Sequence, residues 1–167
     1  MNNPKLLTSG DPSLAYKSVE VKFEHIRSAR ITSVIESLKG IMVSHNLDIL
    51  PASVAGVNIR LIVIKVDTEL GQIVGDVLIN PEIIDNSIYP DAPEWETSVV
   101  MPGYEFRVPR PNLIGISYFD SSANRKCAVL AKVNARLMAQ QVSYLSGMTP
   151  FCQVIDPVRD VRVIQQN

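Results

Sequence analysis

The chain has 167 residues, the length of one domain able to close a hydrophobic core without disulfides or a structural metal, so residues 1–167 are expected to form a single domain. Hydrophobic residues make up 46% and charged residues 20%, a globular balance that excludes disordered and collagen-like classes. Lys and Arg number 16 against 17 Asp and Glu, so no global positive field favours nucleic acid as a primary ligand.

Two cysteines, Cys127 and Cys152, lack the spacing of a zinc finger or a disulfide framework and read as small buried apolar residues. Met1 to Leu14 carries no basic start with a continuous apolar run, and no later stretch approaches the ~20 apolar residues of a membrane span. The expectation is a soluble, intracellular-type chain without a membrane segment.

From Val21 to Asn46 the positions Phe23, Ile26, Arg30 through its stem, Val34, Leu38 and Met42 recur at threes and fours, which predicts a long amphipathic helix. Val57, Ile59, Leu61, Val63 and Ile64 then form a strand with polar Asn58, Arg60 and Lys65 between them. Val74 to Asn80 forms another, and sequence adjacency makes the two an antiparallel pair. Pro81, Pro90, Pro93 and Pro102 break Pro81 to Gly103 into loop and short extended pieces, a length that suits a functional loop. Phe106 to Pro109 and Leu113 to Phe119 read as strands joined through the extended Pro109-Arg110-Pro111, and Asp120 to Arg125 as a turn. A second helix runs from Ala128 to Ser146 and is closed by Gly147 as a left-handed cap. The tail from Gln153 to Asn167 alternates like a last strand.

Four separated segments now resemble one family, the peptide deformylases. The opening Leu6-Leu7-Thr8-Ser9-Gly10-Asp11-Pro12-Ser13-Leu14 is similar to that family's start. Ala55-Gly56-Val57-Asn58 and the strand after it resemble the end of a Gly-Leu-Ala-Ala-x-Gln-Val-Gly segment, and Leu78-Ile79-Asn80-Pro81 its following turn. Glu96-Thr97-Ser98-Val99-Val100-Met101-Pro102-Gly103, with Arg107-Val108-Pro109-Arg110-Pro111, resembles the Glu-Gly-Cys-Leu-Ser-x-Pro-Gly stretch and its strand. Ala135 to Gly147 aligns without a gap on the helix bearing Gln-His-Glu-x-Asp-His-Leu-x-Gly. The resemblance implies an α+β, peptide-deformylase-like fold: antiparallel sheets around a central helix, with one further long N-terminal helix.

The same resemblance implies a reaction and a set of positions. The family hydrolyses N-formyl groups at the methionine ends of nascent proteins, using a divalent metal held by one Cys and two His, a Glu for proton transfer and a Gln at the oxyanion. Carried over, the Cys position is Ser98, the two His positions are Gln140 and Tyr144, the Glu position is Gln141, and the oxyanion Gln position is Val54. A hydroxyl, an amide and a phenol do not replace a thiolate and two imidazoles, and Gln141 has no proton-transfer pKa. The expectations are therefore a degenerate active site, no catalytic residues, no metal and no cofactor. The retained Asp11, Pro12, Asn80, Pro81, Pro102, Gly103, Pro109, Pro111, Arg136, Leu145 and Gly147 are turn, cap and packing positions.

Ser98 as a new nucleophile lacks a base, because neither His25 nor His45 has a position to serve it. Gln140, Gln141 and Tyr144 read either as polar fillers bonded to one another or as the floor of a groove that binds a peptide end. Trp95, in Pro93-Glu94-Trp95-Glu96, either packs on the core or contacts a partner. The basic group Arg107, Arg110, Arg125 and Lys126 reads as a solvated face. The resulting expectation is a non-enzyme, a binding or structural subunit with a protein partner in a larger assembly such as a ribosome or a virion. The alternatives are a residual metal-dependent peptide deformylase and a non-cleaving binder of peptide N-termini.

Overall fold

The computed structural model describes residues 5–88 and 93–164. Pro90, one of the prolines expected to break the long loop, lies outside them, as do residues 1–4 and 165–167 at the two ends of the chain. Three helices, α1 (Ala29–His45), α2 (Glu69–Val74) and α3 (Lys132–Leu145), accompany eight strands. These are β1 (Ile49–Pro51), β2 (Leu61–Ile64), β3 (Val77–Ile88), β4 (Glu94–Thr97), β5 (Tyr104–Val108), β6 (Leu113–Phe119), β7 (Arg125–Ala131) and β8 (Val161–Val163). Every strand pair is antiparallel, in one sheet ordered β1-β2-β3-β6-β7 and a smaller one ordered β4-β5-β8. This is the α+β arrangement that the resemblance implies, with α3 packed against β1, β3, β6 and β7.

The long N-terminal helix starts later than the apolar spacing predicts. Phe23–His25 forms a separate 3-10 turn, and α1 begins only after Ser28, whose hydroxyl accepts from the Ile31 N–H. The buried stripe is Ile31, Ile35, Leu38 and Met42, whereas Phe23 and Arg30 are exposed and Val34 only partly covered. The proposed strand from Val57 shrinks to β2, whose four residues are all buried. Leu61 and Val63 join the core under α1, while Ile62 and Ile64 join the core under α3. Covered on both faces, β2 has no reason to alternate polar and apolar residues.

Val74 ends α2 instead of starting a strand, and β3 runs straight through Pro81 into the segment expected to be loop. Proline is tolerated there because the β3–β6 register shifts between Ile79 and Glu82, and Asn80 takes a left-handed φ of 52° at that step. The Asn80 side chain then pairs with both backbone groups of Val21, at 2.8 Å each, and so staples the N-terminal segment to the sheet. Pro93, another of the expected breakers, immediately precedes β4.

Residues 128–131, expected to open the second helix, belong to β7. At the other end of α3, Gly147 (φ 75°) donates to the Tyr144 carbonyl and Met148 to that of Ser143, the double closure of a left-handed cap. A Cβ at Gly147 would also lie 2.5 Å from the Ala15 carbonyl oxygen, so glycine is required twice over. The tail contributes only the short strand β8, beside β5. Both cysteines are exposed rather than buried: Cys127 sits on the outer face of the edge strand β7, and Cys152 in a 3-10 turn. No described helix is long and apolar enough to cross a membrane.

Candidate active site

Because sheets and loops surround α3, its polar residues are buried together with its apolar ones and must find partners inside the protein. Gln140 and Tyr144 lie four residues apart and share a face. The Tyr144 hydroxyl shares a buried hydrogen bond of 2.8 Å with the Ser98 hydroxyl, which follows β4. Gln140 Nε2 donates to the Thr97 carbonyl at 2.8 Å, and Gln141 Nε2 donates to Gln140 Oε1 at 3.0 Å. Val54, fully buried in the 3-10 turn after β1, belongs to the same hydrophobic core as Tyr144 and Val100. Its carbonyl accepts from the Leu7 N–H, which seats the N-terminal segment beside it.

All five positions implied by the resemblance therefore fall around one stretch of α3. Burial pushes the Tyr144 phenol up to about 12, and its hydrogen bond with Ser98 offsets part of that rise. The phenol is neutral across the physiological range. The donors at this centre are thus a hydroxyl, a phenol and an amide. The described residues hold no group of three or more His, Cys, Asp or Glu placed to take a metal ion. This donor set does not fit a divalent metal held by a thiolate and imidazoles. His25 and His45 are exposed, at the start and end of the N-terminal helical region.

A second polar cluster sits beside the first, and its key residue lies where the sequence does not lead one to expect it. Arg110 is 2% exposed, not part of a solvated basic face. Its guanidinium donates in bidentate fashion to Glu96, at 2.9 and 2.7 Å, and also to Ser143 Oγ and Gln153 Oε1, each at 3.0 Å. Of the other three, Arg125 and Lys126 are exposed and Arg107 partly so.

Between β4 and α3 runs an open groove of about 520 Å³, lined by Glu94, Trp95, Thr97, Arg136, Leu137 and Gln140 among others. Arg136 bridges it, pairing with the Glu94 carboxylate at 3.3 Å and donating to the Glu94 carbonyl at 3.3 Å. The strand β4 is an edge of its sheet, so this groove follows an edge strand as far as Thr97 and Gln140, beside the buried Ser98–Tyr144 pair. Trp95 is half-buried in the groove wall, with the Arg162 guanidinium 4.1 Å from its ring centre.

An antiparallel α+β frame with a groove leading to a buried helix centre defines the class of protein. The polypeptide deformylase family model matches residues 4–160, and the chain belongs to that family. A peptide deformylase of Caldanaerobacter subterraneus is 32% identical over 139 residues, covering 83% of this chain and 81% of that protein. One from Prochlorococcus marinus is 30% identical over 118 residues, which are 71% of this chain. This chain spans a little over half of that relative, 58% of its length. Among solved structures, a Synechococcus elongatus peptide deformylase in complex with actinonin superposes with a TM-score of 0.79 at 25% identity, covering 93% of this chain and 80% of that one.

These findings correct two expectations. The degenerate active site implies a non-enzyme, yet the family is one of enzymes, and the relatives are named for the activity. The expected separation from metal chemistry is overturned by the same kinship, since those deformylases are metalloenzymes. Nothing in the relatives points to a structural subunit of a larger assembly, and the deformylase alternative fits them better. The nature of the five centre residues stands beside this kinship as a separate local fact.

Proposed function

We propose that this protein acts on the formylated N-terminal ends of peptides, taken into the groove between β4 and α3 with the formyl end at the Ser98–Tyr144–Gln140 centre. The observation that carries the reading is the run of the groove. It follows an edge strand, where an extended peptide can add main-chain hydrogen bonds, and it reaches Thr97 and Gln140, next to the buried Ser98–Tyr144 pair. Membership of the deformylase family and the relatives' names support N-formyl peptides as the substrate class.

The chain's own residues have definable parts in this. Arg136 and Gln140 tie α3 to the Glu94 and Thr97 carbonyls, fixing the distance between helix and edge strand and so the width of the groove. Gln140, which lines the groove and is held from behind by Gln141, offers its amide to a formyl oxygen or a peptide N–H.

Calorimetry with formyl-Met-Ala-Ser, alongside a formate-release assay run with and without added Fe²⁺, Ni²⁺ or Zn²⁺, tests the reading. Saturable heat with formate release supports it in full. Binding without release would narrow the function to recognition of peptide ends. Neither heat nor formate at millimolar peptide overturns it.

A further inference from the structure

Trp95 is the protein's only tryptophan, and its surroundings hold it in place. It stands on β4 directly opposite Arg107 of β5 and shares a face with Thr97, while Glu94 and Glu96 point to the other side, toward Arg136 and Arg110. Arg162 of β8 lies over the indole, and Arg162 is in turn fixed by Glu105 of β5, its cross-strand neighbour, through contacts of 2.7 and 2.6 Å. A ring covered by a guanidinium that is itself ion-paired has little freedom to swing away. The same ring lines the groove. The result is a rigid aromatic wall two residues along the edge strand from Thr97, whose carbonyl is bound to the helix centre.

We infer that Trp95 is a specificity-determining residue of the groove, packing against the third side chain of the bound peptide and selecting an apolar residue there. This rests on the reading that N-terminal peptide ends lie along β4. The position follows from strand geometry. A peptide whose first residue sits at the Ser98–Gln140 end runs antiparallel to β4. If its first residue lies opposite Thr97, its third lies opposite Trp95, because strands repeat every two residues. The second side chain points to the opposite face and does not meet the indole. The substrate class is thereby sharpened to formyl-methionyl peptides with an apolar third residue.

The test compares formyl-Met-Ala-Leu, formyl-Met-Leu-Ser and formyl-Met-Ala-Ser by calorimetry and by the emission of this lone tryptophan. Wild-type protein is expected to bind formyl-Met-Ala-Leu roughly tenfold more tightly than formyl-Met-Ala-Ser, the scale of one good aromatic contact, with a shift in Trp95 emission. Trp95→Ala is expected to bring that ratio close to one, whatever it does to the affinity for both peptides together, and Trp95→Phe to keep most of the ratio. An unchanged ratio in Trp95→Ala overturns the inference, as does a preference that follows the second residue. Failure of all three peptides to bind the wild-type protein would remove the peptide-end reading itself, a different outcome from loss of selectivity alone.

Discussion

Ser143 and Tyr144 are neighbours on α3 yet anchor polar clusters of opposite kinds. Around Tyr144 every partner is neutral: the Ser98 hydroxyl, the Gln140 and Gln141 amides and the Thr97 carbonyl. Around Ser143 the centre is a buried ion pair, Arg110 with Glu96, to which Ser143 and Gln153 add hydrogen bonds. The charged cluster joins four segments, namely β4, the β5–β6 link, α3 and the C-terminal stretch. The neutral cluster joins only the end of β4 and the loop after it to α3. Removing a neutral partner leaves one unsatisfied dipole, costing about 1–3 kcal/mol, whereas removing one member of a buried ion pair strands a charge. Residue types can therefore change at the neutral cluster without loss of the fold, while the charged cluster is held fixed by it.

The largest expected effect exploits the neutral side. Replacing Ser98→Cys, Gln140→His, Gln141→Glu and Tyr144→His together supplies a thiolate, two imidazoles at i and i+4 and an acid–base group at positions the fold already brings together. Affinity for Zn²⁺ or Ni²⁺ is expected to rise at least ~10⁴-fold over the unsubstituted chain, with formate release rising in parallel. Metal titration of the two proteins measures it. Equal affinities would show that the loop at residue 98 and the helix face are not spaced as ligands.

On the charged side, Arg110→Met leaves the Glu96 carboxylate buried without its partner and is expected to cost about 3–5 kcal/mol in urea unfolding. Adding Glu96→Leu to that variant removes the stranded charge and is expected to recover more than half of the loss. A cost under about 1 kcal/mol for Arg110→Met would place this pair with ordinary surface bridges and erase the contrast between the clusters.

How far these clusters are legible in the sequence follows from the same contrast. Ser98, Gln140, Gln141 and Tyr144 can be found because a fixed-spacing motif on one helix and a short loop motif carry them, and the structure does bring them together, with Val54 from a third segment in the same core as Tyr144. Arg110 reads wrongly as a surface charge because its acid, Glu96, is fourteen residues away across a strand pairing, and no periodicity reports such a partner. β6 and the antiparallel β2–β3 pair are legible from β-branched runs. β3 through Pro81 is not, because its tolerance for proline depends on a register shift against a strand more than thirty residues on. The charge of the helix centre is readable, but not the activity class, since losing a ligand type at a position does not remove a chain from its family.

The smallest effect tests neutrality itself. The Tyr144 phenol titrates near 12 in the folded protein and, once exposed by unfolding, near 10. A group whose folded pKa lies above its unfolded value favours the protonated folded state, so its contribution is complete below pH 10. That contribution is lost as pH rises from 10 to 12, because the unfolded chain gives up the proton first. The expected loss over this window is about 2 kcal/mol beyond whatever the other groups contribute. Tyr144→Phe abolishes this term and leaves the Ser98 hydroxyl without its partner, which makes the variant less stable by about 1 kcal/mol at pH 9. In urea unfolding that advantage of the wild type should shrink steadily above pH 9 and change sign before pH 12. A difference constant across that range would mean the phenol is reached by water in the folded state, and the neutral cluster would then be open to solvent where the charged one is closed.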